Sequence, residues 1–96
     1  MKKVRFLKPA EDEMLEAMFY YQNKAEGLGR DFIGRIDEAV ARIEKTPEAY
    51  PEIRYAVRRS LVRQFPFALL YKILSDEVLV IAVMHLKRHP SYWLGR

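Results

Sequence analysis

The chain predicts an α+β domain in the order β-α-α-β-β-β, a helical hairpin packed on a mainly antiparallel four-stranded sheet. Three observations carry this reading. Two apolar runs in the last third, Phe65 to Leu74 and Val78 to His85, are parted only by Ser75-Asp76-Glu77, the pattern of a β-hairpin. Both runs are apolar at odd and even positions alike, so both faces of these strands are covered, as in the middle of a sheet. Upstream, the apolar residues recur instead at helical three- and four-residue steps in two segments broken at Gly27-Leu28-Gly29.

The elements follow in order. Lys3 to Leu7 is a short strand with Val4 and Phe6 on one face. Pro9 suits the start of a helix, where its missing N–H costs nothing, and Glu11, Asp12 and Glu13 in the first turn favour the positive end of the helix dipole. Met14, Leu15, Met18, Tyr21 and Ala25 form its apolar stripe, which ends near Gly27. Tyr20 and Tyr21 cannot both face inward, so one is exposed. The second helix buries Phe32, Ile36, Ala39, Val40 and Ile43 and places Asp31/Arg35 and Glu38/Arg42 outward as pairs four apart. Thr46-Pro47 stops it, and Tyr50-Pro51 leads into a single half-buried strand in which Ile53, Tyr55, Val57 and Leu61 alternate with polar or small residues. Arg59 falls on the apolar side, which marks a bulge or a reach to the sheet rim. Gln64-Phe65-Pro66 turns the chain into the central hairpin.

Ninety-six residues suit one domain, spanning 1–96. The absence of cysteine excludes disulfides, thiolate metal sites and cysteine nucleophiles. The amino-terminal segment alternates charged and apolar residues without an apolar h-region, and the run Val78 to Met84 is far short of the ~20 residues that span a bilayer. A soluble, cytoplasmic protein without membrane partners is expected. The net charge of +4 is uneven: residues 1–51 hold nine Lys/Arg against ten Asp/Glu, and residues 52–96 hold eight against three. The sheet half is therefore basic, suited to an acidic protein or a phosphate backbone. A surplus of surface arginine that serves solubility reads the same way.

Several local motifs, in order, carry a wider resemblance: Ala17 to Tyr21, Gly27-Leu28-Gly29 followed by Phe32, Thr46-Pro47 through Tyr50-Pro51, Val57-Arg58-Arg59, Phe65-Pro66-Phe67 leading to Tyr71, and His85-Leu86-Lys87-Arg88-His89-Pro90-Ser91-Tyr92-Trp93. Together they resemble the RelE/ParE superfamily of type II toxin-antitoxin toxins, also labelled plasmid stabilisation proteins, over essentially the whole chain. The resemblance implies growth inhibition and neutralisation by a cognate antitoxin. It also implies one of two targets: RelE-like members cleave messenger RNA on the ribosome, and ParE-like members inhibit DNA gyrase.

Cleavage of the RelE type needs a group to take the 2′-hydroxyl proton, one to protonate the leaving oxygen and fixed positive charge for the phosphate. Arg88, His85 and Tyr92 are the catalytic candidates if the chain is a nuclease, and Arg58, Arg59, Arg63, Lys87 and Trp93 are candidates for binding a target or antitoxin. Arginine stays protonated and cannot be the base. The resemblance places a nuclease arginine where this chain has Ala68, in Ala68-Leu69-Leu70-Tyr71, which together with Pro90 and Tyr92-Trp93 aligns the chain with the ParE-like branch. Whether the chain is an enzyme stays open at this point, as do a ribosome-dependent nuclease and a non-toxic binding module. His85 and His89 stand four apart at a strand end and a proline-limited turn with no nearby carboxylate, so no metal or other cofactor is expected.

Overall fold

The computed structural model describes residues 2–96. Its elements are β1 (Lys3–Phe6), α1 (Lys8–Lys24), α2 (Leu28–Lys45), a 3-10 turn (Pro47–Ala49), β2 (Glu52–Arg54), β3 (Val57–Leu61), β4 (Phe67–Ile73) and β5 (Glu77–His85). The strands lie in the order β1-β5-β4-β3-β2. β1 runs parallel to β5, through Val4 opposite Val78 and Phe6 opposite Val80, and every other pairing is antiparallel. The parallel pair follows from the connection: the whole helical hairpin intervenes between β1 and the rest of the sheet.

The sheet has five strands rather than the expected four. The stretch read as one strand is a tight hairpin: Arg54 pairs with Val57, and Tyr55 and Ala56 between them have φ of 52° and 62°. Positive φ at both central residues is the requirement of a type I′ turn, which the right-handed twist of the flanking strands favours. Its usual signal is Asn-Gly or Asp-Gly, and neither is present. Arg59 does not mark a bulge; it is an exposed residue of β3 opposite Leu70. The register shifts lie elsewhere: in β2, where Glu52 pairs with Arg58 but Arg54 with Val57, and in β5, where Leu70 pairs with Ala82 but Tyr71 with Val80, leaving Ile81 as the extra residue.

Two cores sandwich the sheet. On the helical side Phe32, Ile36, Ala39 and Ile43 of α2 and Ala10 and Ala17 of α1 meet Leu69, Tyr71, Val78, Val80 and Val83. On the other side Val57, Ala68, Leu70, Ile81, Ala82 and Met84 are covered by Trp93, which is 3% exposed. This explains why β4 and β5 are apolar at every position. Along α1 the buried line is Ala10–Ala17, with Met14, Met18 and Tyr21 packed beside it, whereas Leu15 and Tyr20 are exposed. Small residues at the contact let this helix approach the sheet closely.

Gly29 sets the spacing of the helical hairpin: a Cβ there would lie 2.8 Å from the Met18 carbonyl oxygen. The expected pairs on α2 are replaced. Arg35 bonds Glu38 and the Gln64 amide oxygen, and Arg42 donates to the Leu61 carbonyl, because this face of α2 looks onto the β3–β4 connection. The α2–β2 connection is fastened from the sheet. The fully buried Tyr71 donates its hydroxyl to the Pro47 carbonyl at 2.6 Å, and Arg58 donates to the Tyr50 and Glu48 carbonyls at 2.6 and 3.2 Å.

Two stability tests follow from these contacts. Gly29→Ala forces α1 and α2 apart and is expected to cost about 2–3 kcal/mol in denaturant unfolding. Gly27→Ala, at φ 83° with nothing within 4 Å, costs only the left-handed backbone term of about 1 kcal/mol. Burial pushes the Tyr71 phenol from 10.0 up to about 12. A folded-state value above the unfolded one gives a contribution fully present below pH 10 and lost as pH rises through 12. Tyr71→Phe is therefore expected to be about 1 kcal/mol less stable at pH 7 and to lose less stability than the parent between pH 10 and 12, as read by urea midpoints.

Candidate functional site

β5 has nine residues and its outer neighbour β1 four. The last rung between them is Leu7 N–H to the Val80 carbonyl at 2.9 Å, after which the chain leaves the sheet as α1. Beyond Val80, the side of β5 away from β4 has no strand beside it. Its first two main-chain groups are taken by side chains instead: Glu13 of α1 accepts from Val83 N–H at 3.0 Å, and Arg96 donates to the Ile81 carbonyl at 3.1 Å. Arg96 also donates to Glu13 at 2.9 Å, so the two form one partly buried ion pair that closes this part of the edge. An acceptor from a helix and a donor from the tail thus stand where a neighbouring strand would put its carbonyl and amide.

Above this pair lies Tyr92. The Arg88 guanidinium covers one part of its ring at 4.0 Å from the centroid, and Arg96 lies 5.0 Å from the same centroid. The phenol oxygen is buried and makes no hydrogen bond. Burial, and then the neighbouring Glu13 carboxylate, push its pKa far up.

Next to this network a groove of about 440 Å³ opens between α1 and the end of the sheet. Its walls are apolar and aromatic, with Ala17, Tyr20, Tyr21 and Phe67 among them, and charge enters from Glu16 on one wall and Arg88 on the other. Tyr21 stacks edge-on against Phe65 and Phe67, and Phe67 against the His85 ring at 5.0 Å. His85 Nδ1 accepts from Lys87 N–H at 3.0 Å and His89 Nδ1 from Ser91 N–H at 3.3 Å, which leaves Nε2 of each neutral ring as the protonated nitrogen. Both histidine bonds are local and neither crosses the sheet rim.

The structure divides the candidate residues. It gathers His85 and Arg88 at the groove, with Tyr92 beneath Arg88. Arg63 and Lys87 are exposed on the two connections at the same end of the sheet. Arg58 stands apart, bound to carbonyls of the α2–β2 connection and 3.8 Å from Glu52. Arg59 is exposed on the far face, and Trp93 is buried in the far core. The Arg58 guanidinium and the Trp93 indole are thus both engaged within the fold. Glu13 and Arg96 are the residues that sequence reasoning missed, and Tyr20 is the exposed member of the tyrosine pair and lines the groove. Glu13 had read as an ordinary first-turn helix acid, and only the main chain of β5 gives it a further partner. Among the described residues no group of three or more His, Asp or Glu side chains is placed to hold a metal ion. No helix there is long and apolar enough to cross a membrane.

Glu13→Ala and Arg96→Ala are each expected to cost about 1–2 kcal/mol in urea unfolding, since each leaves a main-chain group of β5 and a charge without a partner. The double variant is expected to cost clearly less than the two together; full additivity would show that the pair does not act as a unit.

Comparison with known proteins agrees with this architecture. Residues 4–90 match the family model described as the ParE toxin of the type II toxin-antitoxin system parDE. Toxin ParE2 of Mycobacterium tuberculosis, strains CDC 1551 / Oshkosh and ATCC 25618 / H37Rv, is 24% identical over 91 residues, covering 94% of this chain and 87% of the relative. A solved chain of the chromosomal ParDE TA system from P. aeruginosa superposes with a TM-score of 0.65 at 11% identity, over 88% of this chain and 96% of that one, and so shares the fold. With its two helices on a mostly antiparallel sheet and a family match along nearly its whole length, the chain belongs to the ParE toxins of type II toxin-antitoxin systems.

Proposed function

We propose that this toxin arrests growth by binding a macromolecular target rather than by cutting RNA, that DNA gyrase is the first target to test, and that a cognate antitoxin neutralises it. The observation that carries the binding reading is the state of Tyr92. Of the three residues that would serve a nuclease, it lies beneath Arg88 with its phenol oxygen buried and is not among the residues that line the groove. Position 68, where a nuclease-type arginine is expected, is a fully buried alanine in the far core, on the face of the sheet away from the helices. That leaves Arg88 and His85, a cation and one titratable ring, beside a groove whose walls are mainly apolar. Such a composition suits contact with a protein surface better than proton transfer at a phosphate.

The antitoxin partner is supported by the matched family, whose description names the parDE system, and by charge. The basic balance of residues 52–96 attracts an acidic segment, and such segments commonly fold on binding.

Three readouts decide between the alternatives. Induction of the chain alone is expected to arrest growth, and co-expression of the protein encoded beside it is expected to restore it; unchanged growth in both would leave a non-toxic binding module. The purified chain is expected to inhibit supercoiling by DNA gyrase. Transcript 5′ ends mapped after induction are expected to show no new sites within codons, and new sites would establish the ribosome-dependent nuclease instead.

A further inference from the structure

We infer that a pocket on the face of the sheet away from the helices, between the β2–β3 turn and the tail, takes an acidic segment of the protein target; this rests on the target-binding reading above. The pocket has a volume of about 420 Å³ and shares no lining residue with the groove beside α1. Buried Val57, Ile81 and Trp93 give it an apolar base, and exposed Tyr55 and Leu94 stand at its mouth. Lys72 of β4 supplies its charge, and no carboxylate lines it. Among the described residues no carboxylate pairs with Lys72, whereas Arg96, the other cation on the wall, is held by Glu13. The carboxylates of the adjoining strands are engaged: Glu77 of β5 bonds Arg5 at 2.8 Å, and Glu52 of β2 lies 3.8 Å from Arg58. Asp76 is exposed in the β4–β5 turn, outside the pocket lining.

The turn at the mouth of the pocket points the same way. Tyr55 and Ala56 both hold φ in the left-handed region, at 52° and 62°, with neither glycine nor asparagine present. A bulky residue there is strained, and such strain concentrates where the side chain is needed for contact. What the turn gains is a tyrosine ring 67% exposed, with the Arg54 guanidinium 4.9 Å from its centroid and bonded to its hydroxyl at 3.3 Å. Tyrosine and arginine are the residue types that carry much of the energy of protein–protein contacts. A nucleic acid backbone asks for a track of cations, whereas this pocket offers one unpaired ammonium within apolar walls. A carboxylate flanked by apolar side chains matches it: the acid reaches Lys72, and its neighbours pack on Tyr55, Trp93 and Leu94.

Growth arrest on induction and inhibition of gyrase supercoiling by the purified chain test this, with urea midpoints and affinity for the antitoxin encoded by the neighbouring reading frame measured on the same variants. Lys72→Glu and Tyr55→Asn are each expected to raise the concentration for half inhibition at least about tenfold and to relieve growth arrest. Tyr55→Asn also removes the strain of the turn, so its urea midpoint is expected to rise. A variant more stable yet less inhibitory is an outcome that a purely structural tyrosine does not give. Both variants are expected to keep the parent's affinity for the antitoxin. Undiminished growth arrest by both overturns the pocket and leaves the toxin reading intact, whereas a parent chain that arrests no growth overturns both. A parent that arrests growth without inhibiting gyrase removes gyrase as the target, and the growth readout of the two variants still decides the pocket. Antitoxin affinity lost in step with inhibition, a dimer that Tyr55→Asn dissolves, or DNA binding that Lys72→Glu abolishes would assign this face to the antitoxin, to a second copy or to nucleic acid, and each overturns the inference.

Discussion

A central strand that outruns its neighbour is the constraint on which this structure turns. β5 extends past the end of β1, so main-chain groups on an otherwise buried strand are left without a ladder partner. An unpaired amide or carbonyl at such a position costs free energy comparable to a lost hydrogen bond, and the chain answers with Glu13 and Arg96. Those two side chains come from opposite ends of the sequence. Their pairing fixes where α1 starts relative to the sheet, where the tail returns, and how Tyr92 and Arg88 are stacked at the mouth of the groove.

The groove is a consequence of the same geometry. α1 crosses the sheet on its alanine line; on its flank Tyr21 packs against the core and also lines the groove, whereas Tyr20 is exposed at the groove wall. The tail after β5 does two tasks at once. Trp93 covers the far core, and Arg88, five residues earlier in the chain, is left on the groove side. Residues buried in the far core and residues that line the groove therefore alternate within a segment that looks uniformly cationic and aromatic, which is why composition alone does not sort them.

The fold was legible from periodicity because both cores depend on it: the unbroken apolar runs of β4 and β5 announced strands covered on two faces, and the spacing of Phe32, Ile36, Ala39 and Ile43 announced the buried side of α2. The fifth strand was not legible, since its turn uses Tyr55 and Ala56 at positive φ, where glycine or asparagine is the usual signal. At the site, His85 and Arg88 were found by their place in the tail motif and do lie together at the groove. Arg58 and Trp93 were chosen by residue type, and residue type does not say that a guanidinium is occupied by carbonyls or that an indole is buried. Glu13 and Arg96 carried no signal, because what they serve is a main-chain edge that exists only once β1 is known to be short.

The groove beside β5 has the composition of a protein-contact surface, and mapping backbone chemical shifts of the labelled toxin as antitoxin is added tests that reading most directly. The largest changes are expected at Val83 to Arg88 and at Tyr20 and Tyr21, with Arg59, Leu61 and Trp93 on the far face little affected. Changes concentrated on the far face, with the groove residues unmoved at saturation, would contradict it.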